Sequence, residues 1–280
     1  MIKFFLRIIY YTLYDLLKIV INIRSKYNFI ILTPRLISIL LNNVLIYEKK
    51  TKKIFFQKTR NLNDITTVFE IFSEESYNIQ NFEIYENIKI YYNNVLKNNK
   101  KPLIIDCGSN IGSSTSYFSK IYNRSSIVLI EPDIKSFCFS KKNINYKELL
   151  EINSAINSSS TPINFFCDPN NSRASKVIED KGMLVQSITV KKILHKFDLN
   201  KFEPFLIKID IEGFEKNLFS SNYEWINDFK ILIIEIHDWM LSGRHNSMNF
   251  INAIAETMKN KKKRDLLISG ENLISVRIDE

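Results

Sequence analysis

From residue 103 onward, short apolar runs alternate with longer segments, the pattern of a parallel sheet with crossover helices. Candidate strands are LIIDC (103–107), IVLIE (127–131), LLEINSA (149–155), FLIKIDI (205–211) and ILIIEIH (231–237). Helices are predicted after the first, second and fourth strands, over 113–121, 134–143 and 215–220. Strands apolar on both faces belong in a sheet covered on both sides. The chain closes on LLISG and LISVRID, separated by Glu271 and Asn272, a spacing that fits a terminal antiparallel hairpin.

An insertion separates the third and fourth strands. It reads as strands at 163–167 and 183–190 around a polar loop, DPNNSRASKVIEDKG, followed by a helix over 191–197. Upstream, the runs IIL, VLIYE and KIFFQ precede an acidic and aromatic segment, DITTVFEIFSEESYNIQ. Residues 1–101 therefore read as an amphipathic helix with a helical and hairpin module, and residues 102–280 as the main domain.

The first 24 residues are apolar but interrupted by Lys3, Arg7, Asp15 and Lys18. No charge-free stretch approaches the 18 or so residues of a spanning helix, and no small-residue cleavage site follows. On a helical wheel Lys3, Arg7, Tyr11, Asp15, Lys18 and Asn22 form one polar stripe beside a wide apolar face. Such a helix packs on its own domain, packs on a second copy in a homo-oligomer, or lies in a membrane interface. All three readings keep the chain out of the secreted class and expect a cytoplasmic protein, the third at the inner face of the membrane.

At 280 residues and 45% hydrophobic, the chain is long enough for a sizeable core. The net charge of +9 counts for little, because abundant Ile, Asn and Lys look like AT-rich codon drift. The densest basic run, KNKKKR at 259–264, reads as a solvated helix end, and no window nominates a nucleic-acid groove. Cys107, Cys138 and Cys167 stand apart without a CxxC, which points to a reducing compartment. The three histidines, His195, His237 and His245, form no HExxH or paired Cys/His spacing.

The chemistry concentrates at strand ends. The first strand runs into Asp106-x-Gly108-x-Asn110-x-Gly112, and Glu131 follows 19 residues after Gly112. A glycine turn lets the backbone approach a ligand, and an acid at the end of the next strand can accept ribose hydroxyls. The third glycine of a dinucleotide fingerprint is missing. Asp106 would repel a pyrophosphate but attract an ammonium and a sulfonium, which favours S-adenosylmethionine over NAD. Alternatively, Asp106 only caps the helix beginning near Ser113. Lys208, Asp210 and Glu212 recur with period two, and Glu235 and His237 repeat the device on the fifth strand. Such polar residues on otherwise apolar strands mark either a site or a structural ion-pair network, for instance Lys208 with Glu235. Glu215 reads as a first-turn acid favoured by the helix dipole.

With these residues in hand, the chain resembles the FkbM family of S-adenosylmethionine-dependent methyltransferases. The matching pieces are IIDCGSNIG, LIEPD, INSAI, LIKIDIEGFE and IIEIH, spanning about residues 102–240. Cys107 and Ser109 stand where larger or other small residues are usual. The resemblance implies an α/β class I methyltransferase fold, a Rossmann-like sheet that is mostly parallel with a C-terminal antiparallel hairpin. It implies methylation of a hydroxyl group, with Asp106, Gly108, Asn110 and Gly112 at the methionine part of the cofactor, Glu131 at the ribose, and Ser154 and Ala155 near the adenine. His237 and Asp210 are then candidate bases, with Lys208 and Glu235 orienting them and Glu212 binding acceptor hydroxyls. Asp210, Glu212 and His237 could ligate a divalent metal, but one histidine and two acids of unknown geometry do not assign one.

The expected partner is a small-molecule or glycan acceptor, since such proteins often accompany surface-polysaccharide or natural-product pathways. Base-modifying amino methylases carry [ND]PP[YF] after the fourth strand, where this chain reads DIEG. A nucleic-acid or small-molecule N-methyltransferase and a catalytically silent binding module remain as rivals.

Overall fold

The structure, a computed structural model, describes residues 2–166, 176–177, 182–238, 243, 245–259 and 263–278, the side chains of 2–9 and 176–177 excepted. Cys167, most of the polar loop expected at 168–182, part of the basic run at 259–264, and the side chains of Lys3 and Arg7 fall outside this description.

Seven strands form the main sheet: β1 (Lys101–Cys107), β2 (Ser126–Ile130), β3 (Leu149–Ile152), β4 (Phe202–Ile209), β5 (Ile231–Glu235), β6 (Arg264–Ser269) and β7 (Asn272–Arg277). Their order is β3-β2-β1-β4-β5-β7-β6, with β7 antiparallel to both its neighbours. This is the class I methyltransferase arrangement, closing on an antiparallel hairpin. The order reverses between β1 and β4, where Asp106 pairs with Lys208 and Cys107 with Ile209. A crevice opens at such a switch point, beyond the carboxyl ends of the strands.

Both faces of the sheet are covered, which is why its strands are apolar throughout. Leu103, Ile105, Val128, Ile207 and Ile234 pack with Ile193, Trp225 and Phe250 on one side. Ile104, Ile127, Phe205 and Ile233 meet the N-terminal residues Phe29, Val68 and Phe72 on the other. The N-terminal segment contributes a three-stranded antiparallel sheet (Phe29–Ile31, Asn43–Glu48, Lys53–Lys58) and helices Leu62–Phe72 and Tyr85–Lys97. Phe72 makes edge contacts to Phe29, Phe55 and Tyr117, locking this segment onto the helix Ser113–Ile121 that follows β1.

Several boundaries differ from the sequence pattern. The third strand stops at Ile152, because the Asn153 side-chain amide donates to the carbonyls of Glu131 (2.8 Å) and Pro132 (3.1 Å) and turns the chain. Ala155–Ile156 then pair in parallel with Ser187–Ile188 in a separate two-stranded sheet, while Ile163–Phe166 pair with Met183–Val185. β4 ends at Ile209 and β5 at Glu235, so Asp210, Glu212 and His237 lie in the turns beyond.

The helix Ile2–Arg24 is oriented opposite to a surface helix packed by its apolar side. Two residues of its polar stripe face inward: Asp15 is 2% exposed and accepts from the Arg35 backbone N–H (2.8 Å) and guanidinium, while buried Asn22 donates to the Ser73 carbonyl (2.9 Å). Leu13, Leu17, Val20 and Ile23 are exposed, and so are Leu40 and Leu41 of the neighbouring helix Arg35–Leu41. The apolar face therefore does not pack on its own domain. Among the described residues, no helix is long and apolar enough to cross a membrane.

Phe72 is completely buried, so Phe72→Ala should lower the unfolding free energy by about 3–5 kcal/mol in urea denaturation. A loss under about 1 kcal/mol would mean that the N-terminal segment does not share the core of the sheet.

Candidate active site

The turn after β1 is built on a close approach. Gly108 (φ 75°) lies so near the exit of β4 that an added Cβ would sit 1.7 Å from the Asp210 carbonyl oxygen. Gly112 (φ 82°) opens the helix Ser113–Ile121, where a Cβ would meet Ile144 at 2.7 Å and Ser140 at 2.9 Å. Asn110 takes a left-handed conformation (φ 48°), rare for residues other than glycine, and the Arg60 guanidinium donates to its side-chain oxygen (3.1 Å).

Asp106 is fully buried behind this turn and does not line the cleft. Its Oδ2 accepts from the hydroxyls of Ser114 (2.7 Å) and Thr115 (2.6 Å), and its Oδ1 lies 3.4 Å from the Lys208 ammonium. Its negative charge is thus met by the protein itself, and it anchors the first turn of the helix through side-chain hydroxyls.

Glu131 follows β2 and is 6% exposed. Its two oxygens accept from the backbone N–H groups of Asp133 (2.9 Å) and Asn110 (2.8 Å), tying the glycine turn to the second strand end. Burial outweighs these hydrogen bonds and pushes the carboxyl up to about 7.

Two clefts meet at the switch point. The first is bounded by Glu131, Pro132, Ala155, Ile156, Phe165 and Phe214, an apolar lining with one carboxylate that suits a nucleoside. Ser154 lies outside it, its hydroxyl donating to the Gln186 carbonyl (3.1 Å). The second cleft is walled by Glu70, Glu74, Lys208, Glu235 and Glu271. Gly108, Asn110, Asp210 and Glu212 line both.

At this border the ends of β4 and β5 converge. Lys208 is 2% exposed; its ammonium donates to the Gly108 carbonyl (2.9 Å) and lies 3.3 Å from Asp210. Burial disfavours its charge, but Asp210, Tyr77 and Asp106 hold it well above the ordinary lysine range. Its carboxylate partners are therefore Asp106 and Asp210, and not the Glu235 suggested by period two. His237 is equally buried and lines neither cleft. Its Nδ1 is 2.9 Å from Glu215, while Nε2 faces Glu235 (3.5 Å), Glu212 (3.6 Å) and Asp210 (3.7 Å). Burial opposes the imidazolium, yet the Glu215 hydrogen bond and the charges of Asp210, Glu215 and Glu212 push it up to about 10. Glu235 is pushed up to about 7, by burial first and then by Asp210.

The profile of the methyltransferase FkbM domain matches residues 106–264, more than half of the chain. The chain belongs to this family. Its cofactor is S-adenosylmethionine. No curated protein is significantly similar in sequence. Similar solved structures include the plantazolicin methyltransferase BpumL in complex with SAH, at 12% identity over 76% of this chain and 94% of that one, TM-score 0.38. An O-methyltransferase from Bacillus cereus in complex with SAH shows 11% identity over 77% and 90%, TM-score 0.36. A methyltransferase from Geobacter sulfurreducens shows 12% over 76% and 89%, TM-score 0.35.

The residues of this FkbM domain fit the cofactor. Filling the Gly108 position would close the turn, Glu131 presents a carboxylate to the first cleft, and the walls beyond it are apolar. Sequence reasoning missed Glu215, which looked like an ordinary first-turn acid but is 1% exposed and holds His237. Its signal was its place as the last acid of LIKIDIEGFE. It also missed Glu70 and Glu74, carried into the second cleft from the N-terminal segment, and Arg60, which ties Asp64 to Asn110.

Gly108→Ala should abolish cofactor binding in calorimetry, because the added methyl cannot coexist with the Asp210 carbonyl. For Glu131, a folded-state value raised from 4.5 to about 7 favours the empty fold below about 4.5, an advantage lost as pH rises through about 7. Cofactor affinity should move the other way, rising through about pH 7 as the carboxylate becomes able to accept ribose hydroxyls. Glu131→Gln should remove that pH dependence and weaken binding about 10- to 100-fold.

Proposed function

We propose that the protein is an O-methyltransferase acting on a hydroxyl of a sugar-bearing acceptor, a surface glycan or a glycosylated natural product. The observation that carries this reading is the shared border of the two clefts. Gly108 and Asn110 on one side, and Asp210 and Glu212 on the other, bring a cofactor cleft and an acid-lined acceptor cleft into contact. When bound, S-adenosylmethionine supplies an electrophilic methyl group on a sulfonium. The chain's residues then have to align the acceptor oxygen and take its proton.

Asp210 is best placed for the proton, since its carboxylate is partly exposed and lines both clefts while Lys208 holds it in position. His237 serves as a positioning residue, being buried and outside both clefts. Glu212, Glu235, Glu70 and Glu271 offer several acceptors to a polyhydroxyl ligand. The same carboxylates would repel the phosphates of a nucleic acid, which disfavours that rival despite the chain's positive charge.

The exposed apolar side of helices Ile2–Arg24 and Arg35–Leu41 supports a second element of the proposal: peripheral contact with a membrane at its cytoplasmic face, where a lipid-linked acceptor would be presented. Asp15 and Asn22 seat the helix on its own domain by its polar side, which leaves the apolar side available for such a contact.

With methyl-labelled S-adenosylmethionine, label should enter oligosaccharide hydroxyls, and Asp210→Asn should lower kcat by about 100-fold or more. Label entering amines or nucleic acid instead would overturn the hydroxyl reading. Leu17→Glu with Leu40→Glu should abolish flotation with anionic liposomes, leaving cofactor affinity unchanged; unaltered flotation would remove the membrane contact.

A further inference from the structure

We infer that Asp210, Glu212 and His237 form a divalent-metal site on the border of the two clefts, with Glu235 as a fourth ligand or a neighbour that hydrogen-bonds a bound water. One ligand atom from each of the first three residues lies within 4.8 Å of the others. The arrangement differs from a mere acidic cluster in the state of its histidine. His237 is 2% exposed, and its Nε2 points at three carboxylates at 3.5, 3.6 and 3.7 Å. These separations are longer than a good hydrogen bond. An octahedral ion with ligands at about 2.1 Å would set neighbouring ligand atoms about 3.0 Å apart and opposite ones about 4.2 Å. The three separations from Nε2 lie between these values.

The outer contacts fit as well. Metal-bound histidines commonly give their second ring N–H to a carboxylate, which fixes the tautomer and aims the other nitrogen. Glu215 occupies that position, 2.9 Å from Nδ1 and itself 1% exposed. The oxygen facing Nδ1 also accepts from the Gly213 backbone N–H (3.2 Å), which holds the carboxylate against the imidazole, while Oε2 is buried without a hydrogen-bond partner. One imidazole among two or three carboxylates suits a borderline ion such as Mn²⁺ better than Ca²⁺, which prefers all-oxygen sites.

The ion's place narrows the acceptor class, an extension that rests on the methyltransferase reading above. Asp210 and Glu212 face both clefts, so the ion's open positions would point toward the acceptor side. An acceptor with two adjacent hydroxyls could chelate it, and the bound hydroxyl would pass its proton more readily to the Asp210 oxygen that the ion leaves free.

The test is titration of Mn²⁺ alone into the metal-stripped full chain, followed by electron paramagnetic resonance and calorimetry. One Mn²⁺ per chain is expected, with affinity reduced at least about tenfold in His237→Ala and in the near-isosteric Glu212→Gln, and reduced more mildly in Glu215→Gln. Absence of stoichiometric Mn²⁺ binding, or unchanged affinity in His237→Ala and Glu212→Gln together, overturns the site. Far-ultraviolet circular dichroism of each variant separates lost ligands from lost folding. If His237→Ala unfolds, Glu212→Gln, at a partly exposed position, decides the matter alone. S-adenosylmethionine titrated into the same stripped chain reports the methyltransferase reading separately. Cofactor binding without Mn²⁺ binding removes the metal site alone; Mn²⁺ binding without cofactor binding removes the methyltransferase reading and leaves the metal site standing.

Discussion

A single buried ammonium holds the centre of this molecule together. Lys208 sits at the end of β4 among groups that would otherwise repel one another: the carboxylates of Asp106 and Asp210, and the carbonyl oxygens of Cys107 and Gly108. A lysine taken out of water is costly unless it is paired and hydrogen-bonded. Here the compensation is complete enough to keep it charged. Through Asp106 it reaches the hydroxyls of Ser114 and Thr115, and so fixes the helix that opens after the glycine turn. Through Gly108 it fixes the turn itself. The two clefts are set relative to each other by one side chain.

That arrangement explains which parts of the molecule could be read from the sequence. The existence of the strands and their burial on two sides followed from apolar runs such as IVLIE and ILIIEIH, because a doubly covered sheet asks for apolar residues on both faces, whereas their order did not. The glycine turn and its distant acid stood out against a chain with six glycines. Direction was harder to read. Asp106 was visible as an acid before the turn, but only the fold decides whether such a side chain looks outward to a ligand or backward to Ser114 and Lys208. Period two placed Lys208, Asp210 and Glu212 on one face, yet the strand ends at Ile209, and Glu212 turns through a left-handed conformation (φ 54°). Proximity survived this change, but alternation was not its cause.

The acceptor side illustrates a different obstacle. Glu70 lies on, and Glu74 just after, a helix that precedes the first sheet strand by some thirty residues, and no local pattern links them to Glu235 or Glu271. Their contribution depends on the aromatic contacts of Phe72 with Phe29, Phe55 and Tyr117, which seat the N-terminal segment over the sheet. The motif-bearing core thus builds the first cleft, and the weakly patterned segment supplies much of the wall of the second. That wall can change without disturbing the glycine turn.

The inverted N-terminal helix has a thermodynamic consequence. Hydrophobicity chooses the inside almost everywhere else in the chain, whereas here Asp15 and Asn22 choose it, through Arg35 and Ser73. Leucines and isoleucines are left in water by a folded state that gains nothing from them. What folding adds is arrangement: side chains that the unfolded chain exposes singly are gathered on one face of two neighbouring helices. An apolar phase stabilises the fold only by the margin with which it binds that gathered face more tightly than the same residues dispersed along the unfolded chain.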